Sequence, residues 1–375
     1  MKYRKFAGKD ISILGFGAMR LPMDGAKINE KEAVKIIHAA IDNGVNYVDS
    51  AYYYHEQQSE SLVGRALAGG YRNKTYIATK SPMWSLESKE DFERLLDIQL
   101  KRMQTDCVDF YMFHGIGKAA WEKKILRLGL LEEMERVKKA GKIAHIGFSF
   151  HDHYSALTEI LDGYGGWDFC QLQVNYIDTD GQAGLRGWHY AESRNVPAVI
   201  MEPLWGGKLA NPPKSVRDIF EEAAPGRSPV EWALDWLWAK PAPHAMIALS
   251  GMSTLEQVLQ NCEYAGRAPD EIDQDAVQRA QKAFKEKKLI PCTGCSYCGC
   301  PHGVAISSNF DYYNEAHIYE RDENARSAYE NMVKWMGAKS QAKNCVSCGS
   351  CEELCPQHIK IGEEMPKVAE FFSSV

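Results

Sequence analysis

The sequence predicts an α/β protein: a (β/α)8 TIM barrel followed by a small α-helical domain. Three observations carry this. Short apolar runs alternate with helix-period segments eight times in ~260 residues, the count and size of such a barrel. The alternation ends at the basic run Lys285–Lys288. Beyond it, eight of the eleven cysteines fall into two tight groups.

The elements follow in chain order. Lys2–Phe6 and Asp10–Ile13 flank Gly8 and predict a hairpin ahead of the barrel. Strand Ile13–Phe16 is followed by a helix over Glu30–Asn43, and Tyr47–Asp49 by Ser59–Ala68. Tyr76–Lys80 leads to Lys89–Met103, Val108–Phe113 to Leu126–Ala140, and Ile143–Ser149 to His153–Leu161. Phe169–Val174 leads to Gly187–Ser193. Ala198–Met201 leads through a Gly/Pro-rich loop to Pro229–Ala239, and Ala245–Leu249 to Leu255–Cys262. A last amphipathic helix covers Ile272–Lys287. The expected domains are 1–285 and 286–375. Trp232, Trp236 and Trp238 share near-helical spacing and are read as packing.

The balance of 44 basic against 50 acidic residues gives −6 and disfavours nucleic acid, which selects basic faces. No run approaches the ~20 apolar residues of a membrane span. The opening MKYRKFAGKD lacks a signal-peptide apolar core. With this cysteine spacing, that points to metal ligation in a reducing cytoplasm rather than to disulfides. Cys107, Cys170 and Cys262 are isolated and read as buried apolar residues.

The second cysteine group is Cys345-x-x-Cys348-x-x-Cys351-x-x-x-Cys355-Pro356. This is the bacterial ferredoxin run, in which three thiolates hold one [4Fe–4S] cluster and the fourth crosses to another. The first group, Cys292-x-x-Cys295-x-x-Cys298-x-Cys300-Pro301, repeats it with a shortened last step. Two [4Fe–4S] clusters are therefore expected. Cys292, Cys295, Cys298 and Cys355 would hold one; Cys345, Cys348, Cys351 and Cys300 would hold the other, with the aim of Cys300 altered by the short step. Zinc sites also use Cys-x-x-Cys pairs, but three cysteines spaced by two plus Cys-Pro favour iron–sulfur. The helical stretch Asn309–Trp335 between the groups suits an α-helical ferredoxin-like domain.

Catalytic residues of such barrels stand at the C-terminal strand ends. Those ends supply Asp49, Lys80 and His114, with Tyr54 in the loop after the second strand. Here the chain resembles the aldo-keto reductase superfamily, in Asp49-Ser-Ala51-x-x-Tyr54, Ala78-Thr79-Lys80 and Tyr111-Met-Phe-His114. The resemblance continues through Gly147-Phe148-Ser149, Gln171-Leu172-Gln173-Val174-Asn175-Tyr176 and Met201-Glu202-Pro203-Leu204-x-Gly206-Gly207-x-Leu209. With the cluster domain, the whole chain resembles the bacterial and archaeal group that carries a C-terminal two-cluster domain.

The resemblance implies a carbonyl–alcohol oxidoreductase using NADPH or NADH. Tyr54 would be the general acid/base, its pKa lowered from ~10 by Lys80. Asp49 would hold Lys80, and His114 would orient the substrate oxygen. Ser149, Gln173 and Asn175 would contact the nicotinamide amide, with Met201 against the ring. The backbone of Gly206, Gly207 and Leu209 would pass over the pyrophosphate, and Ser250, Gly251, Gln257 and Asn261 would cradle the adenosine half. Gly251 and Gln257 stand where NADPH-binding relatives often carry cations, so the choice of nucleotide stays open. His55, Trp84, Trp205, His151 and His153 are pocket candidates on mouth-side loops.

The expected partners are a small carbonyl or alcohol substrate and a ferredoxin or flavodoxin carrier, with no nucleic acid and no membrane. One alternative is a stand-alone NAD(P)H carbonyl reductase whose cluster domain is a structural, docking or redox-sensing module. Another is a barrel whose nicotinamide binding is vestigial, with clusters feeding the substrate directly.

Overall fold

The computed structural model describes residues 1–239, 246–292, 294, 298–319, 322–355 and 357–373, without the side chains of 322 and 324. Ala245, Cys295 and Pro356, all part of the sequence expectations, lie outside the described residues. Two compact units divide the chain. One is Met1–Ala210 with Val230–Ile272; the other is Asn211–Pro229 with Asp273–Val375.

In the first unit, β1 (Tyr3–Phe6) and β2 (Lys9–Ser12) form the expected antiparallel hairpin, and β3 (Leu14–Gly17) opens the barrel. A short hairpin, β4 (Met23–Asp24) with β5 (Lys27–Ile28), follows unannounced by periodicity. The barrel continues through β6 (Tyr47–Asp49), β7 (Tyr76–Ser81), β8 (Val108–Ile116), β9 (Ile143–Phe150), β10 (Phe169–Gln173), β11 (Ala198–Met201) and β12 (Met246–Ser250). β12 pairs in parallel with β3 and closes the ring. Inward side chains fill it: Tyr47, Phe110, Met112, Phe169, Val199 and Ile247 form one buried cluster. Phe6 of the hairpin joins that cluster, its ring 5.7 Å from Phe110.

The helices of this unit are α1 (Glu30–Asp42), α2 (Ser59–Ala66), α3 (Lys89–Met103), α4 (Lys118–Ala120), α5 (Leu130–Lys139), α6 (Tyr154–Gly163) and α7 (Gly184–Ser193). α8 (Lys214–Ala223) belongs to the second unit; α9 (Pro229–Trp238) and α10 (Leu255–Arg267) complete the barrel's set. Local chemistry sets their starts. Asn29 and Thr254 accept from the backbone N–H of Glu32 and Gln257, and Ser88 forms a capping box with Asp91. The helix expected over Leu126–Ala140 starts later, at Leu130. A π-helical segment, Trp121–Leu126, precedes it, and Gly129 at φ +64° breaks the run. Trp232, Trp236 and Trp238 are buried as read, and the Trp238 indole N–H donates to the Ile13 carbonyl at 3.0 Å. Cys170 and Cys262 are buried; Cys107 is half-buried.

In the second unit, α11 (Gln274–Glu286) packs on α8, joined by Arg279–Glu222 at 2.6 Å. The helical stretch between the cysteine groups is two helices, α12 (Ile306–Tyr319) and α13 (Asp322–Met336); α14 (Ile361–Phe371) ends the fold. Their core gathers Ile290, Phe310, Tyr329, Met332, Met365 and Phe372. Side-chain amides fix the two cysteine-bearing loops to these helices. Asn314 of α12 accepts from Ile290 N–H at 2.9 Å and donates to its carbonyl at 2.8 Å, two residues before Cys292. Tyr329 of α13 accepts from Ala342 N–H at 3.0 Å, three residues before Cys345. Among the described residues, no helix is long and apolar enough to cross a membrane.

Helices α2 and α3 pack closely at Gly64. A Cβ on Gly64 would stand 2.5 Å from the Arg102 carbonyl oxygen, which is rigid backbone. Gly64→Ala should cost about 1–3 kcal/mol, read as a lower urea midpoint by tryptophan fluorescence. An unchanged midpoint would contradict this packing.

Candidate active site and cluster-binding region

Parallel strands bring their C-terminal ends together, so residues far apart in sequence meet at one mouth. Asp49 ends β6, Lys80 lies near the end of β7, and His114 near the end of β8. Asp49 and Lys80 are fully buried. The Lys80 Nζ donates to Asp49 Oδ1 at 2.6 Å and to the Ser50 carbonyl at 2.8 Å. Gln171 of β10 donates to the second Asp49 oxygen at 3.4 Å. Lys80 Nζ also lies 5.0 Å from the Tyr54 ring centroid.

Burial alone would lower the Lys80 pKa; the Asp49 carboxylate and the Tyr54 phenol outweigh it, and the pKa is raised. Burial lifts the Asp49 carboxyl, opposed by Lys80 and Gln171. Tyr54 departs from the sequence expectation of a lowered pKa. Burial raises it above its usual value, and the charge of Lys80 pulls it back only in part. Unliganded, Tyr54 is a phenol at neutral pH.

Tyr54 sits on an unusual turn. His55, Glu56 and Gln57 all have positive φ, at 51°, 51° and 70°, a left-handed stretch that costs non-glycine residues strain. Side chains hold it. His55 Nε2 accepts from Leu21 N–H at 3.2 Å, and Gln57 accepts from Arg102 at 2.6 Å.

His114 is aimed by a bulge. The β8–β9 register shifts between Phe113 and Ile116, and Gly115 there has φ +61°. The Gly115 N–H donates to Ser149 Oγ at 2.7 Å. The His114 ring lies 6.1 Å from Tyr54 and 5.0 Å from Trp84, both edge-on, and its buried Nδ1 has no partner. Burial, with Lys80 and His151 nearby, lowers its pKa to about 3. The imidazole is therefore neutral and has one nitrogen to offer.

The expected nicotinamide contacts divide. Ser149 is buried at the bulge, while Gln173 donates to Asp178 at 3.2 Å and accepts from Gln182 at 3.3 Å. Asn175 is spent on its own turn: it accepts from Ile177 and Asp178 N–H and donates to the Glu202 carbonyl. Met201 ends β11 half-buried, and the Leu209 side chain is core. Gly206 and Gly207 take φ +65° and +94°, and a Cβ on Gly207 would meet nothing within 4 Å. Ser250 Oγ accepts from Asn261 at 3.0 Å, and Gln257 accepts from Ser253 N–H at 2.7 Å. Of the pocket candidates, Trp84 and His151 border Gly115. Burial lowers the His151 pKa.

Several polar residues at this mouth escaped the sequence reading. Arg20 lies between the last two strand loops. A Cβ on Gly251 would come 3.1 Å from its side chain, and one on Gly206 3.3 Å from its guanidinium. Its other neighbour is Glu202, at 3.7 Å. Behind Lys80, buried Glu60 accepts from Thr79 at 2.7 Å, Gln99 at 2.5 Å and Arg102 at 3.1 Å. Gln99 also donates to the Lys80 carbonyl at 3.0 Å. Arg20 lies in the loop after β3 and Glu202 precedes a Pro; neither has periodicity to mark it. Glu60 and Gln99 are polar residues of α2 and α3 that the fold buries completely.

The aldo/keto reductase family profile matches residues 13–283. The chain belongs to the aldo/keto reductase family. Residues 291–359 match a 4Fe-4S dicluster domain. This aldo/keto reductase is 28% identical over 216 residues to methylglyoxal reductase YeaE of Escherichia coli, spanning 56% of this chain and 71% of that protein. It is 25% identical over 277 residues to 6-dehydroglucose reductase of Novosphingobium aromaticivorans, spanning 68% and 87%. Among solved structures, aldo-keto reductase AKR11C1 from Bacillus halodurans, holo form, superposes with a TM-score of 0.62 at 25% identity, covering 75% of this chain and 96% of that one. An aldo-keto reductase from Klebsiella pneumoniae in complex with NADPH superposes with a TM-score of 0.61 at 22% identity, covering 75% and 94%.

In the cluster region, Cys300, Cys345, Cys348 and Cys351 line one small cavity walled by Val304, Ile306 and Ile361. Backbone N–H groups point at the sulfurs: Ser347 toward Cys345 at 3.5 Å, and Gly294 toward Cys292 at 3.4 Å. Burial pushes the Cys351 thiol up to about 11, and the nearby Cys298, Cys300 and Cys345 add to the rise. Cys355 is buried in the same core, with Cys292 and Cys298 packed against it. Four cysteines lining one cavity with apolar walls are the donor type an iron–sulfur group takes, although among the described residues no three ligating side chains are gathered closely enough to hold a metal ion.

Removing one member of the buried Lys80–Asp49 pair should cost more than removing both. Asp49→Asn should lose about 3–5 kcal/mol, and adding Lys80→Met should restore part of it, measured by chemical denaturation. If the double variant is the less stable, the pair is not a buried charge pair.

Proposed function

We propose that this oxidoreductase interconverts a small carbonyl and its alcohol, with Tyr54 as general acid/base, and that two [4Fe–4S] clusters exchange electrons with an external carrier. The observation that carries the first half is the convergence of Tyr54, Lys80, Asp49 and His114 on one mouth. A nicotinamide, NADPH or NADH, would supply or accept the hydride that no side chain can. The open turn at Gly206 and Gly207, Ser250 with Asn261, and Gln173 are the residues proposed to hold it. Arg20 offers the positive charge that Gly251 and Gln257 lack, which keeps NADPH in play.

The proton chemistry follows from the shifts. In reduction, a raised Tyr54 pKa keeps the phenol ready to donate to the developing alkoxide. Lys80, held by Asp49, stabilises the phenolate that remains. Neutral His114 would orient the substrate oxygen by hydrogen bond. In the oxidative direction, the phenolate would have to form first, so that direction gains at alkaline pH. The proposed division of labour sets 1–285 as the catalytic domain and 286–375 as the cluster domain.

A second reading is favoured by the depth at which Cys351 and Cys355 lie in the core of their unit. There the clusters only staple or sense, and the barrel is a stand-alone reductase. Reduction potentials separate the two, since only values near a nicotinamide couple permit exchange in both directions.

Tyr54→Phe should lower kcat for carbonyl reduction at least about 100-fold with nucleotide affinity nearly unchanged; wild-type turnover would sink the assignment. The pH profile is a separate check. Tyr54 loses activity in reduction only as pH rises through its raised pKa, and His114 titrates near 3. So kcat/KM for reduction should be level from about pH 5 to 9. An inflection on the acid side of that window would contradict the neutral His114, and one on the alkaline side the protonated Tyr54.

A further inference from the structure

The second unit carries an exposed strip that the carbonyl chemistry does not use. Lys334 through Lys339 are all exposed, and within them Trp335 is 93% and Met336 54% exposed. A tryptophan gives up a large apolar surface to water there, which marks interaction sites. The chain then folds back, with Asn344 donating to the Ala338 carbonyl at 2.7 Å. It returns Lys343, Val346 (60% exposed), Ser347 and Cys348 to the surface. Lys339 lies against the turn after Cys300, since a Cβ on Gly303 would stand 3.5 Å from the Lys339 Cβ. The cavity lined by Cys300, Cys345, Cys348 and Cys351 opens among these residues.

The charge here is mainly basic. From Asn331 to Cys351 there are three lysines and no Asp or Glu, and from Cys298 to Phe310 no Asp or Glu either; Glu352 at its edge, near Ser347, accepts from Gly362 N–H at 2.8 Å and has Lys360 at 4.0 Å. The whole chain is −6, so this strip is a local exception. Lys334 has a carboxylate only at 3.9 Å, from Glu330. An apolar centre with a basic rim suits a small, transient contact steered by opposite charge. A second copy of the chain would set the same lysines against themselves in a two-fold contact.

We propose that this strip docks an acidic, soluble one-electron carrier protein, and that the cluster held by Cys300, Cys345, Cys348 and Cys351 is the one that exchanges with it. The inference rests on the reading that the clusters exchange electrons with a carrier. In the exchange, one electron leaves the reduced carrier and converts [4Fe–4S]2+ to [4Fe–4S]+, with no proton moved.

The test uses the cluster-loaded full chain, mixed anaerobically in stopped flow with a reduced bacterial 2[4Fe–4S] ferredoxin of net negative charge. Calorimetry gives the affinity of the oxidised pair. The second-order rate should fall steeply with added salt. Lys339→Glu/Lys343→Glu should lower rate and affinity at least about tenfold at low salt, and Trp335→Ala should weaken binding. Iron content and bleaching by reduced methyl viologen should not change. Wild-type, salt-independent exchange in the charge-reversed variant would overturn the surface while leaving carrier exchange intact. Failure of the ferredoxin to reduce wild type, with methyl viologen still effective, would overturn carrier exchange and the surface with it. If the variant instead loses self-association or binding to anionic vesicles while its exchange rate is unchanged, the strip belongs to that other occupant.

Discussion

The buried Lys80–Asp49 pair is the constraint on which the barrel mouth depends. Two charges out of water are tolerated only with close geometry and filled hydrogen bonds. Here the ammonium has Asp49 and the Ser50 carbonyl, and the carboxylate also has Gln171. Those partners come from three strands, β6, β7 and β10, so the pair exists only if the ring closes in register. Gln99 holds the Lys80 backbone, and Glu60 ties Gln99 to Thr79 and Arg102. One layer further out, Arg102 holds the strained turn that carries Tyr54. Tyr54 is thus positioned through helices α2 and α3 as well as by its own loop. Burial, which holds Tyr54 protonated, is the same condition that makes the ion pair costly to break.

The second unit solves a different problem. A domain of this size with cysteines in its core gains stability when those thiols are bridged by metal. Its helices act as a frame: Asn314 fixes the approach to Cys292, and Tyr329 the approach to Cys345. A hydride carries two electrons, and a cluster takes one at a time. The two clusters proposed for this domain would match that stoichiometry.

Much of this was legible in the sequence. Short apolar runs mark the eight barrel strands, period-3.6 segments mark most of the helices, and cysteine spacing marks the cluster region. Tetrad types at strand ends mark the mouth, because parallel strands fix where their ends go. What stayed hidden depends on neighbours in space. The left-handed turn at His55–Gln57 has no glycine to announce it and is held by distant side chains. Gly129 divides a run that reads as one helix. Arg20 and Glu202 meet across two loops. The direction of the Tyr54 shift is a contest between burial and a nearby ammonium, and spacing alone gives only the ammonium. Asn175 also holds its own turn, accepting from Ile177 and Asp178 N–H and donating to the Glu202 carbonyl, a role that spacing does not announce.

The most direct measurement is an anaerobic optical titration of the cluster-loaded protein with NADPH and then NADH, with dithionite marking full reduction. The account predicts that one nucleotide bleaches the cluster absorbance, which would join barrel and clusters in one electron path and name the preferred donor. Absorbance unchanged by either nucleotide, with dithionite still bleaching it, would contradict the shared path.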